Sequence, residues 1–93
     1  MELEQLRIFL AVAELTSFRR AAAAMYISRS TVSRAVASLE ASLDVRLFER
    51  TSRSVRLTKA GRLLCREGEG FLQRADQLRE AVQNAGDSPD IID

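Results

Sequence analysis

The chain has no histidine and no tryptophan, and it carries a single cysteine and a single proline. Without histidine it lacks the usual zinc ligand and the usual acid–base group of neutral-pH chemistry. One thiol closes no internal disulfide and fits a reduced, cytoplasmic chain. The longest apolar run, Ala21–Ile27, falls far short of the roughly 20 residues needed to span a bilayer. The N-terminus opens Met-Glu-Leu-Glu, acidic where a signal peptide is basic. No glycine loop suited to cradling phosphate and no carboxylate pair suited to a cleft is present. Catalysis is therefore not expected, and neither a metal nor a cofactor is called for.

What is there amounts to one small soluble domain. Ninety-three residues with 46% hydrophobic and 29% charged content sit near the lower limit at which one core sustains a fold, and are too apolar for wholesale disorder. The overall charge of +1 hides a strong segregation. Residues 17–59 hold nine cations (Arg19, Arg20, Arg29, Arg34, Arg46, Arg50, Arg53, Arg56 and Lys59) against Glu40, Asp44 and Glu49, a net +6, while the flanks together carry −5. A basic middle between acidic ends is the footprint of a polyanion-binding surface. Thirteen of the 14 cations are arginine, whose planar fork bonds phosphates and guanine edges in pairs.

Hydrophobic spacing predicts helices. Over residues 2–16, Leu3, Leu6, Phe9, Leu10 and Ala13 form one apolar face. Ile8, Val12 and Leu15 form a second stripe, which a surface helix does not need; it is either deep core or a seam for a partner. Ser17 is placed to cap a short helix, Phe18 to about Met25, whose alanines admit close approach of another helix. Tyr26-Ile27 reads as a tight turn, and Ser28 as the cap of a third helix over about 29–43. That helix carries Val32, Val36, Leu39 and Leu43 at spacings of four, three and four. Its other face shows Arg29, Ser30, Ser33, Arg34 and Ser38, small or cationic groups suited to entering a groove. Thr31 could contact phosphate or reinforce the cap.

From Val45 to Leu57 the period shortens to that of two strands and a turn, with Val55 and Leu57 alternating with Ser54 and Arg56. A lone hairpin is marginal, so this one must pack on the helices. Glu40 and Glu49 are expected to pair with nearby arginines, and Arg19 and Arg20 could touch a nucleic-acid backbone or do nothing. Thr58 caps a final helix from Lys59 to about Asn84, with Gly86 as its stop; 26 residues span roughly 39 Å, long for so small a domain. Leu57, Leu64, Phe71, Leu78 and Ala85 recur every seven positions, with Gly61, Gly68, Ala75 and Val82 four after all but the last. This is a heptad-like seam, and homodimerisation through Leu64, Phe71, Ala75, Leu78 and Val82 is favoured over burial within one chain. Cys65, beside it, reads as a small buried apolar residue. Residues 86–93 read as a flexible tail.

Helix, turn, helix and basic hairpin in this order make a mainly α winged helix-turn-helix, three helices plus a two-stranded wing over 1–58, followed by a linker helix over 59–85. The third helix would lie in the DNA major groove, where each base pair shows a distinct donor and acceptor pattern. Base or phosphate contacts are expected from Arg29, Ser30, Thr31, Ser33, Arg34 and Ser38, and backbone or minor-groove contacts from Arg50, Arg53 and Arg56 on the wing, about 46–57. The alternative is a winged helix used only for protein interaction and dimerisation, against which the central +6 argues.

The ordered set Leu6-Arg-Ile-Phe9, Ser17-Phe18, Ala22-Ala23, Ser28, Val32-Ser33-Arg34, Leu39-Glu40, Leu47-Phe48-Glu49-Arg50 and Leu57-Thr58-Lys-Ala60-Gly61 resembles the N-terminal DNA-binding domain of LysR-type transcriptional regulators, over about residues 2–85. The resemblance implies sequence-specific binding to an inverted-repeat operator, and a dimer joined through the long helix with help from the first helix. It implies too that a small-molecule-sensing domain normally follows, so this chain is expected to be a fragment or a naturally truncated protein, with any effector acting through that domain. Two positions depart from the family pattern. Arg29-Ser30 stands where Gln-Pro is usual, which shifts the expected base preference from adenine toward guanine. Asp44 stands where glycine usually ends the recognition helix, and Asp tolerates a left-handed cap better than most residues.

Overall fold

The computed structural model describes residues 1–51 and 54–87. Its elements run α1 (Leu3–Leu15), α2 (Phe18–Met25), α3 (Arg29–Leu43), β1 (Phe48–Arg50), β2 (Val55–Leu57) and α4 (Lys59–Gly86). Arg53, expected on the wing, and the tail from residue 88 lie outside the described residues. Each helix starts where a side chain satisfies its free amides. Glu2 and Gln5 form a reciprocal capping box on α1, and Ser17, Ser28 and Thr58 accept from the backbone N–H of Arg20, Thr31 and Gly61.

The first three helices end in the left-handed region, at Thr16 (φ 51°), Tyr26 (φ 59°) and Asp44 (φ 57°). None is glycine, so each junction holds conformational strain, about 1–2 kcal/mol per residue. Asp44 takes the left-handed cap that its sequence position calls for. Behind it Val45 N–H returns to the Glu40 carbonyl, as Ile27 N–H returns to Ala22 behind Tyr26. These returns satisfy carbonyls that would otherwise be orphaned at the helix ends.

The core is a single cluster. Leu6, Phe9, Val12, Val32, Val36 and Leu39 are fully enclosed, with Leu47 and Phe48 arriving from the wing. The Phe48 ring lies 5.2 Å from Phe9 and 5.8 Å edge-on from Phe18, spacings at which aromatic pairs attract beyond their area. β1 and β2 pair antiparallel, Phe48 opposite Leu57 and Arg50 opposite Val55. The wing is thereby rooted on the helices through Phe48. Ile8 and Val12 are buried in this core and Leu15 packs beside it, so the second stripe of the first helix is deep core and not a surface left for a partner.

The α4 seam divides. Gly68 is buried, and a Cβ there would meet Leu6 Cδ1 at 3.2 Å, so α1 occupies the close approach that the small residue provides. Gly61 lies against the Leu47 carbonyl, and Leu72 is buried against the core. Phe71, Leu78 and Val82 stay more than half exposed. The seven-residue repeat therefore does not form one seam: Gly61, Gly68 and the half-buried Leu64 hold α4 to its own domain, while Phe71, Leu78 and Val82 are uncovered. Gly86 continues the helix, without a left-handed turn, and α4 closes at Asp87.

Candidate nucleic-acid interface

The groove-facing side of α3 is a consequence of its core-facing side. With Val32, Val36 and Leu39 buried, a rotation of 100° per residue puts Ser30, Arg34, Ala37, Ser38 and Ala41 opposite them, and all five are exposed. Arg29 is exposed in the first turn, while Thr31 and Ser33 are half-buried at the margins. Ala37 and Ala41 were not singled out from sequence, because alanine carries no chemical signal. On an exposed helix face they leave room for a base edge and offer a methyl to thymine.

The head of α3 is tightly organised. Ser28 Oγ lies 2.8 Å from Thr31 Oγ1 and 3.1 Å from Ser30 Oγ while accepting the Thr31 N–H at 3.1 Å. Thr31 therefore reinforces the cap, and its hydroxyl also accepts from Arg34 Nη2 at 3.4 Å. That contact presents the Arg34 guanidinium along the N-terminal turns. Free amides and the helix dipole add partial positive charge at the same end. Tyr26, in the turn just before, is 94% exposed.

The cations of the basic segment separate into two groups. Arg46 Nε lies 3.6 Å and Arg50 Nη2 3.4 Å from the Glu40 carboxylate, and the Arg50 guanidinium stands 4.6 Å over the Phe18 ring. Arg19, Arg20, Arg29, Arg34, Arg56 and Lys59 are exposed and make no ion pair among the described residues. Of the two expected acid partners, Glu40 pairs as anticipated, whereas no ion pair among the described residues includes Glu49. Glu40 is 9% exposed although it belongs to the recognition helix. It accepts the Leu47 N–H at 2.7 Å and the Phe48 N–H at 3.3 Å. Its arginine partners follow from the nearby charges in the sequence, whereas its role at the root of the wing carries no periodic signal.

On α4, Leu64 and Ala75 are half-buried while Phe71, Leu78 and Val82 are open. Arg7 Nη2 bonds Asp76 Oδ1 at 3.1 Å, among the described residues the one ion pair that joins α1 to α4. Cys65 is half-buried beside Leu10, Leu57 and Leu72, and burial pushes its thiol pKa up. Among the described residues no helix is long and apolar enough to cross a membrane, and no group of acidic or cysteine side chains is placed to hold a metal.

Comparison with known proteins agrees with this architecture. The profile of bacterial regulatory helix-turn-helix proteins of the lysR family matches residues 3–62. An HTH-type transcriptional regulator encoded in the ibpB-leuC intergenic region of Azotobacter vinelandii is 42% identical over 84 residues, covering 90% of this chain and 58% of that protein. The HTH-type transcriptional regulator TfdT of Cupriavidus pinatubonensis is 42% identical over 85 residues, 91% of this chain and 34% of its own. The chain thus spans little more than half of the first relative and about a third of the second. Among solved structures, the BenM_DBD/catB site 1 DNA complex superposes with a TM-score of 0.84 at 34% identity, over 95% of this chain and 99% of that one. The CbnR_DBD–DNA complex gives 0.86 at 34% identity, over 92% and 99%. With three helices, a rooted two-stranded wing and a projecting fourth helix in the matching order, the chain belongs to the LysR family of bacterial regulatory helix-turn-helix proteins.

Proposed function

We propose that the chain is a sequence-specific DNA-binding module of a transcription regulator, acting as a homodimer in the cytoplasm. The observation that carries this is the exposed face of α3: Ser30, Arg34, Ala37, Ser38 and Ala41 on a capped helix, with Arg29 and Arg34 free of any carboxylate among the described residues. Desolvating an unpaired guanidinium is favourable only against an anion or a base edge that replaces its water. In this reading α3 enters the major groove, with Arg29, Ser30, Ser33, Arg34 and Ser38 on bases or phosphates and Thr31 holding the cap. Arg56, and Arg53 outside the described residues, reach the backbone from the wing. The similar BenM_DBD and CbnR_DBD structures are complexes with DNA, which supports the same use of this fold here.

The uncovered apolar residues of α4, Phe71, Leu78 and Val82, then meet a second copy, with the half-buried Leu64 and Ala75 at the edge of the contact. Two recognition helices would address half-sites roughly one helical turn apart. An effector would act through a further domain of the whole regulator. Selection of duplexes from a random pool by the intact chain tests the reading. Enrichment of an inverted repeat containing guanine is expected, and Arg34→Ala should cost about 1–3 kcal/mol on the selected site if the contact is to a base edge. A pool that shows no enrichment, or sites without two-fold symmetry, would overturn it.

A further inference from the structure

We propose that Glu40 and Arg50 form a positioning strut that sets the wing against the recognition helix, so that Arg50 acts on DNA through the wing's placement and not as a phosphate ligand. The inference rests on the DNA-binding reading above and adds to it the coupling between its two contact elements.

Glu40 belongs to α3 on the side away from the groove and is almost fully buried. Among the described residues, every polar partner of its carboxylate comes from the segment leading into the wing or from the wing itself. Leu47 and Phe48 donate backbone N–H groups to Oε2, Arg46 approaches the same oxygen, and Arg50 donates to Oε1. A carboxylate with its oxygens filled in this way fixes the start of β1 relative to the helix, since moving either would leave a buried charge short of partners. Arg50 completes the tie on a third element. Its guanidinium lies 4.6 Å over Phe18 of α2 while bonding Glu40, a stacked and hydrogen-bonded geometry that a planar fork provides and an ammonium does not. Across the sheet Arg50 faces Val55, next to Arg56. Arg56 is exposed and without an ion pair among the described residues, so of these two wing cations the strut leaves Arg56, not Arg50, free for phosphate.

Two substitutions that keep every positive charge separate the strut from direct contact: Glu40→Gln and Arg50→Lys. The probe is the duplex selected by the unaltered chain, with affinity followed by fluorescence anisotropy across a salt series and folding by circular dichroism. The strut predicts that each variant binds about tenfold more weakly, on the scale of truncating one partner of a coupled polar pair. It also predicts that each loses about 0.9 per protomer from the salt slope as the wing's phosphate contact is misplaced. Simple charge counting predicts the opposite sign for Glu40→Gln, because removing an anion near a polyanion tightens binding. A purely structural role would lower the melting temperature and leave the slope of the folded fraction unchanged. Should Glu40→Gln fold poorly, Arg50→Lys alone decides. In the unaltered chain the Arg50 Nε–H resonance, shifted by the Phe18 ring current, should hold its position when the duplex is added. Binding by both variants within about twofold of the original with an unchanged slope, or a large DNA-induced shift of that resonance, overturns the proposal. Failure of the unaltered chain to bind any duplex would instead reject the DNA-binding reading itself.

Discussion

Gly61 and Gly70 both sit within α4, yet alanine at the two positions should move stability in opposite directions. At Gly70 an added Cβ meets nothing within 4 Å, and no glycine takes a positive φ. Gly70→Ala should therefore gain the intrinsic helix preference of alanine, about 1 kcal/mol. At Gly61 the same methyl collides with the Leu47 carbonyl oxygen and stands 2.9 Å from Leu57 Cδ2. That carbonyl also accepts the Thr58 N–H at 3.0 Å, so it cannot retreat without loosening the junction of wing and α4. Overpacking against backbone costs about 1–3 kcal/mol and a weakened hydrogen bond about 1 kcal/mol more. Against a propensity gain of about 1 kcal/mol the net is a loss of about 1–3 kcal/mol. Thermal unfolding followed by circular dichroism, at one fixed protein concentration because self-association of the proposed kind would shift the midpoint, should show Gly70→Ala raised by about 4–8 °C and Gly61→Ala lowered by at least as much. Equal stabilisation by both would refute the packing of Gly61 on Leu47.

Tyr26 holds φ 59° with 94% of its surface exposed. Tyr26→Gly should thus relieve about 1–2 kcal/mol of strain against about 0.5–1 kcal/mol of added chain entropy, and urea unfolding should show a small net gain. Phe71→Glu should leave the fold intact, since Phe71 lies outside the core cluster, while weakening self-association by about 2 kcal/mol or more; sedimentation equilibrium showing an undiminished dimer would move the interface off this face. Burial raises the Cys65 pKa, so at pH 8 less of it is thiolate than in a free cysteine, and iodoacetamide should modify it more slowly than a cysteine-containing peptide, the gap narrowing as pH rises. Alkylation at the peptide's rate would contradict that burial.

The recognition helix was legible in the sequence because its chemistry and its periodicity agree. Val32, Val36, Leu39 and Leu43 share one side, Ser28 marks the start, and Asp44 marks the stop. The wing's existence was legible from Val55 and Leu57 alternating with Ser54 and Arg56. Glu40 was legible only as a partner for arginine, since nothing in a one-dimensional pattern says that a carboxylate will be enclosed by backbone amides seven and eight residues ahead. The second stripe of α1 was ambiguous for a related reason. Ile8 and Val12 read alike whether covered by α2 and α3 or by another chain, and only the tertiary arrangement places them inside. The seven-residue spacing on α4 merged two surfaces: Gly68 and Leu72 serve the chain's own α1 and core, while Phe71, Leu78 and Val82 remain outward.

In the proposed function, exposed arginines on α3 and the wing meet phosphates and bases of duplex DNA. This contact is tested most directly by the salt dependence of binding to the selected duplex. If each protomer neutralises about four phosphates, the logarithm of the affinity should fall against the logarithm of salt concentration with a slope near −7. A response that is flat over the same range would contradict it.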